Sequence, residues 1–296
     1  MTVPDTKPEL ALPAAPVSFG GPPLIVRSFG MTDRGQVRES NEDHFLIAEL
    51  ARTLHVQQTS LKQEESQSAR HRGHVFIVAD GMGGHVAGEV ASALSLVSIE
   101  AFLLNSLKRF STLKCTEESV VLKEFEAAVR QADARLFDEA SQHPELIGMG
   151  TTLTMAFAIR RCLFIAHAGD SRCYVYSGGQ LRQVTRDHTV VAELVRHGAL
   201  TPEEASHHSY RNIVTNILGG TERGVHAEVQ RLDLQAGDVV LLCSDGLSGM
   251  VSDEQIAAVL QEESDPEKAC RRLLDAANAN GGRDNITAIV ARFDER

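Results

Sequence analysis

The chain has 296 residues, 43% hydrophobic and 23% charged, with a formal net charge of -11, a make-up ordinary for a soluble globular protein that can bury a core. With no basic run, it is unsuited to nonspecific binding of DNA or an anionic membrane surface, because both rely on clustered Lys and Arg. Five cysteines (Cys115, Cys162, Cys173, Cys243 and Cys270) are odd in number, far apart and never in a C-x-x-C pair, which argues against a disulfide framework and a zinc site and for a reducing cytoplasm.

Six of the nine prolines fall within residues 1–23, a segment that reads as a disordered tail and lacks the basic start and apolar run of a secretory signal. Residues 51–73 are polar and read as an exposed insertion between strands. The stretch "HVFIVADGMGGHVAGEVAS" then runs from a strand through a glycine-rich turn into a helix. Helical periodicity continues to about Phe110, with Leu94, Val97, Ala101 and Leu104 as its expected core face. A second helix is expected from about Glu117 to Ser141, with Val121, Phe125, Ala128, Ala132 and Leu136 on one side.

From residue 151 the period changes to two. "TLTMAFAI" turns Leu153, Met155, Phe157 and Ile159 to one side, "CLFIAHAG" follows, and "CYVYSGGQLRQV" forms a hairpin about Gly178 and Gly179. An irregular segment covers residues 186–226. After it come the strand "DVVLLCSDG", helices at about 253–263 and 266–280, and a last strand "NITAIVARF". Links this short force antiparallel neighbours, since parallel strands need a crossover of a dozen residues or more. The pattern is α+β, with packed sheets and helices outside them. No uninterrupted apolar stretch approaches the ~20 residues that span a bilayer.

The glycine turn at residues 81–84 invites a dinucleotide-binding reading, but Val86 stands where the third glycine of G-x-G-x-x-G belongs and no "GK[ST]" occurs. A carboxylate just before the turn, Asp80, would also repel a pyrophosphate, so it points to a cation. A lone "DG" reads most simply as a tight turn. The pattern recurs, however: "LLCSDG" puts Asp245 and Gly246 after an apolar strand just as "FIVADG" puts Asp80 and Gly81. Glu42 and Asp43 in "SNED", Asp170 in "HAGDSR" and Asp284 in "GGRDN" also stand at element ends. Oxygen ligands without histidine at metal spacing favour Mg²⁺ or Mn²⁺ over zinc.

In order, "TDRGQVRESNED", "VADGMGG", "GMGTT", "HAGDSR", "SDGL" and "GRDN" resemble the bacterial branch of the metal-dependent Ser/Thr protein phosphatases (the PPM, or type 2C, family) over about residues 26–293. The resemblance implies a central β-sandwich of two antiparallel sheets flanked by pairs of helices, in α-β-β-α layers. It implies a catalytic domain over residues 24–296 with a flap at about 186–226 that governs the choice of protein substrate. It also implies two Mn²⁺ or Mg²⁺ ions with a third beside them. By position, Asp80 bridges the two metals and the Gly81 carbonyl binds one; Asp245 and Asp284 hold the first, Glu42 and Asp43 serve the second, and Asp170 helps hold the third. Arg38 matches the arginine that grips the substrate phosphate.

The implied activity is hydrolysis of phosphoserine and phosphothreonine in proteins, opposing a cognate Ser/Thr kinase. The chain is expected to be a cytoplasmic monomer without nucleic-acid or membrane partners. One departure is Met82, where eukaryotic members carry a histidine proposed as general acid; methionine has no proton to give. His44 and His85 flank the motifs and read as supporting or surface residues. A catalytically silent phosphoprotein binder is the alternative, against which stands the full set of expected ligand types.

Overall fold

The protein is described by a computed structural model over residues 24–51, 72–83, 85–110 and 118–295, without the side chains of His85, Val86, residues 106–110 and Glu118. The Pro-rich tail at 1–23 and nearly all of the polar insertion expected at 51–73 lie outside the described residues. The strands are β1 (Ile25–Asp33), β2 (Asp43–Ala51), β3 (Arg72–Met82), β4 (Gly150–Thr151), β5 (Leu153–Ile159) and β6 (Cys162–Ala168). They continue with β7 (Arg172–Ser177), β8 (Gln180–Gln183), β9 (Leu218–Gly219), β10 (Glu228–Asp233), β11 (Val239–Cys243) and β12 (Ile286–Asp294). The helices are α1 (His85–Phe110), α2 (Glu118–Gln142), α3 (Val190–Arg196), α4 (Pro202–His207), α5 (Asp245–Ser248), α6 (Asp253–Glu262) and α7 (Pro266–Ala279).

One sheet has the order β1-β12-β11-β7-β8; the other runs β10-β6-β5-β3-β4-β9, with β2 paired to β3. Adjacent strands are antiparallel throughout, as the short links require. The alternation in β5 explains how the layers join. Leu153, Met155, Phe157 and Ile159 pack with Phe125 and Leu136 of α2, while Ala156 and Ala158 face the other sheet with Val240, Leu242 and Ile289. A third apolar cluster lies between the first sheet and the helices α6 and α7, through Ile256, Leu260, Leu273 and Leu274. Three clusters between four layers make the expected α-β-β-α sandwich.

Local signals set several boundaries. In α6 the Ser252 hydroxyl and Gln255 form a reciprocal capping box, and in α7 Asp265 caps a helix that starts at Pro266. Gly178 (φ 58°) and Gly179 (φ 84°) both take the left-handed conformation that the β7–β8 hairpin needs. The α2 stripe is buried as expected at Val121, Phe125, Ala128, Ala132 and Leu136.

Helix α1 departs from expectation. Val97 and Leu104 are exposed at 49% and 56%, and the buried side is Ala91, Ser92, Ser95, Ile99 and Leu103. Small residues let the helix lie close to the sheet, and its serines return their hydroxyls to backbone carbonyls, Ser95 to Ser92 and Ser98 to Leu94. Residues Ala87–Asn105, interrupted by Glu89 and Glu100, are long and apolar enough by composition to cross a bilayer, and half of that stretch is buried inside the fold, as in a core helix. Cysteine chemistry differs too. Cys173, Cys243 and Cys270 are buried thiols, whereas Cys162 is disulfide-bonded.

Candidate metal centre

The antiparallel ladders bring the acidic motifs to one edge of the sandwich. Asp43, at the start of β2, is directly opposite Asp80 near the end of β3. In the other sheet Cys243 pairs with Ala288, so that Asp245 just after β11 and Asp284 just before β12 come to the same end. Asp170 lies in the turn between β6 and β7.

Burial, and then proximity, shows in their ionisation. Asp80 is pushed well above the usual carboxylate range, first by burial and then by Asp43, Asp245, Asp170 and Asp284. Burial, with repulsion from Asp245 and Asp284, raises Asp43 to about 7 against hydrogen bonds from Thr287 and Ser244. Burial and the charges of Asp245 and Asp187 raise Asp170 to about 7. Burial and Asp284 raise Asp245 to about 6, while a hydrogen bond with Asp80 works the other way.

The donor set fits hard cations. Asp43 is 3% exposed; its Oδ2 accepts from the hydroxyls of Ser244 and Thr287, both at 2.7 Å. Its Oδ1, like Oδ1 of Asp245, is buried without a hydrogen-bond partner. Bare carboxylate oxygens among like charges need positive charge to offset them. Among the described residues no three of these groups close into a ready-made cage. That suits Mg²⁺ or Mn²⁺, which keep several waters and take few protein ligands. If the two hydroxyls orient Asp43, then Ser244→Ala combined with Thr287→Val should weaken Mn²⁺ binding about 10- to 100-fold, the usual cost of losing such support. Calorimetry with Mn²⁺ checks this; unchanged affinity would show that the two hydroxyls do not orient Asp43 for metal.

Gly81 and Gly246 are not simple turn residues, since neither has positive φ. A Cβ on Gly81 would sit 2.1 Å from the Gly88 carbonyl oxygen, and one on Gly246 would sit 2.0 Å from that of Asn285. Each glycine lets another backbone segment press against the strand end beside an aspartate. Thr152 and Thr151 hold Asp80 from the opposite side. The Asp80 amide donates to Thr152 Oγ1 at 3.0 Å, and the Asp80 carbonyl accepts from the Thr152 amide and the Thr151 hydroxyl, both at 2.9 Å.

Glu42 lies with its carboxylate against Gly88 in the first turn of α1, and its carbonyl accepts from Gly81 N at 3.2 Å and Ser92 Oγ at 2.6 Å. Arg38 donates through Nη2 to Asp284 Oδ2 at 2.7 Å, with its side chain 55% exposed. That hydrogen bond, together with the charges of Asp284, Glu42 and Asp80, holds the guanidinium charged against some desolvation. His44 shares a hydrogen bond with Ser92 Oγ at 3.1 Å, a supporting contact. The His85 side chain lies outside the described residues.

All eight candidate site residues therefore gather at this edge, with Arg38 resting on a carboxylate. Sequence reasoning missed Ser244, Thr287 and Asn285. Two of them stand inside "SDGL" and "GRDN" and were legible there; Thr287 had no signal of its own.

Segment 186–226 is rooted beside Asp170. Asp187 receives Arg172 Nε at 3.0 Å and Nη2 at 2.7 Å. His188 and Gly169 exchange two bonds, His188 N to Gly169 O at 2.8 Å and Gly169 N to His188 Nδ1 at 3.1 Å. Farther out, Tyr210 and Ile213 are exposed at 54% and 47%.

A family model described as Protein phosphatase 2C matches residues 53–290. The chain is 37% identical over 269 residues to Serine/threonine protein phosphatase PstP of Mycobacterium tuberculosis, covering 90% of this chain but only 45% of that relative. It thus spans less than half the length of that protein. It is 33% identical over 263 residues to Serine/threonine phosphatase stp of Listeria monocytogenes, covering 89% of this chain and 94% of the relative. A crystal structure of the catalytic domain of PstP in complex with two manganese ions superposes with a TM-score of 0.72 at 33% identity, over 92% of this chain and 100% of that one. With the family model matching most of the chain, relatives of 33–37% identity and a shared fold, the chain belongs to the protein phosphatase 2C family.

Proposed function

We propose that the chain hydrolyses phosphoserine and phosphothreonine in proteins, through water and without a covalent enzyme intermediate. The observation that carries this reading is the cluster of Asp43, Asp80, Asp170, Asp245 and Asp284, mutually repelling and partly bare, with Arg38 on its rim. Bound divalent cations would supply a water acidic enough to ionise near neutral pH and would neutralise phosphoryl oxygens. Asp80 and the Gly81 carbonyl, with Asp245, Asp284, Glu42 and Asp43, would hold two such ions, and Asp170 would help hold a third. Arg38 exchanges Asp284 for the substrate phosphate, to which its planar fork is suited. Met82 donates no proton, so no side chain is assigned as general acid.

The negative charge and the absence of a basic run support a protein rather than nucleic-acid partner. A cognate Ser/Thr kinase and a monomeric state complete the reading; a cytoplasmic location, expected from cysteines without disulfides, loses that support because Cys162 is disulfide-bonded. Turnover of a phosphothreonine peptide should vanish in EDTA and return with Mn²⁺ or Mg²⁺. Full turnover in chelator would end the two-metal reading, and no turnover with either metal would leave a phosphoprotein-binding module. Segment 186–226, with Tyr210 and Ile213 exposed, is assigned the choice of protein substrate. Exchanging it should lower kcat/KM on a phosphoprotein about tenfold, ~1.4 kcal/mol, while a small aryl phosphate is spared. Equal losses on both substrates would count against that role.

A further inference from the structure

Asn285 is 5% exposed and stands between Asp284 and the first residue of β12. Its carboxamide joins three points of the loop between β1 and β2. Nδ2 donates to the carbonyls of Arg34 at 2.9 Å and Ser40 at 2.8 Å, and Oδ1 accepts from the Glu42 amide at 2.9 Å. Arg34 and Ser40 bracket Arg38. Two further ties reach the same loop from the segment before β12, where the amides of Gln36 and Val37 donate to the Gly282 carbonyl at 2.8 and 3.3 Å. Arg38 itself is largely in water, and a long exposed side chain has no fixed position unless its backbone is held.

We propose that Asn285 is a positioning residue that clamps the β1–β2 loop and so fixes the Arg38 guanidinium over the acidic centre. The inference rests on the reading of Arg38 as the phosphate-binding group. The chemistry is specific to a carboxamide. An aspartate in its place would turn a carboxylate toward two carbonyls, and a serine is too short to reach both sides of the loop. Because Asn285 follows Asp284 in sequence, the same two residues hold the arginine's backbone and its resting side chain.

The test compares Asn285→Ala, Arg38→Ala and the double variant on a phosphothreonine peptide with saturating Mn²⁺. Asn285→Ala should raise KM about tenfold with kcat lowered less than about threefold, and in the Arg38→Ala background it should raise KM no further. Full additivity of the two KM effects would overturn the clamp, since a residue acting only through general packing or through the metals would add its loss to that of Arg38. Trypsin supplies a readout that needs no activity. Cleavage after Arg34 and Arg38 should be about tenfold faster in Asn285→Ala, with cleavage after Arg271 in α7 unchanged. An unchanged rate at Arg34 and Arg38 would overturn the proposal even if the wild-type protein hydrolyses no phosphopeptide, an outcome that would separately remove the proposed function. Asn285→Ser, which retains a short hydroxyl, serves where the alanine variant does not fold. Failure of both to fold would itself contradict a role confined to one loop.

Discussion

Asp245→Asn should lower kcat on a phosphothreonine peptide by on the order of 10² or more at limiting Mn²⁺, with little change in KM. Asp245 lies just after β11, as the first residue of α5, with Oδ1 buried and without a hydrogen-bond partner, near the charge of Asp284. An amide there keeps the shape but removes a full negative charge from the group assigned to hold the nucleophile's metal. Raising Mn²⁺ should restore part of the rate, because weakened occupancy is offset by mass action. The same titration should do little for Arg38→Ala, whose loss belongs to phosphate binding. A normal kcat for Asp245→Asn at limiting metal would remove it from the ligand set.

In chelator, the melting temperature should fall by roughly 5 °C or more between pH 5.5 and 7.5, and with saturating Mn²⁺ this fall should disappear. The sign follows from the carboxylates. Asp43 and Asp170 are raised to about 7 and Asp245 to about 6 in the folded chain, far above their unfolded values. Groups raised in this way favour the folded state fully below the unfolded pKa, and that advantage is lost as pH climbs through the folded one. Buried His167, lowered to about 4 by burial and by His188, acts in the opposite direction up to its unfolded value near 6.5. The carboxylate effect is therefore least opposed above about pH 6.5. Bound cations favour the ionised carboxylates and reverse it. A melting temperature in chelator that rises across this window would show that burial and mutual repulsion do not hold these carboxyls above their ordinary range.

The two ends of this protein's information divide along the range of the forces involved. Strand alternation in β5, the stripe of α2, the caps of α6 and α7 and the Gly178–Gly179 hairpin are written in residues a few positions apart, so the sequence determined them alone. The carboxylates were legible for a related reason: each stands at an element end, in a short motif whose order resembles a known family. The buried face of α1 was not legible, because a helix that is apolar on nearly every side leaves its period without a preferred direction. Close packing on the sheet chose the face with Ser92 and Ser95 and left Val97 and Leu104 outside. The recurrence of "DG" already argued against a plain turn, but the reason for glycine was not legible, since it comes from the backbones of Gly88 and Asn285. Thr287 and Ser244 meet Asp43 across 244 and 201 residues, and Asn285 meets Arg34 across 251. No local pattern encodes such bonds; they exist only once two sheets have brought their ends to one edge, where a buried carboxylate or carbonyl must find a donor.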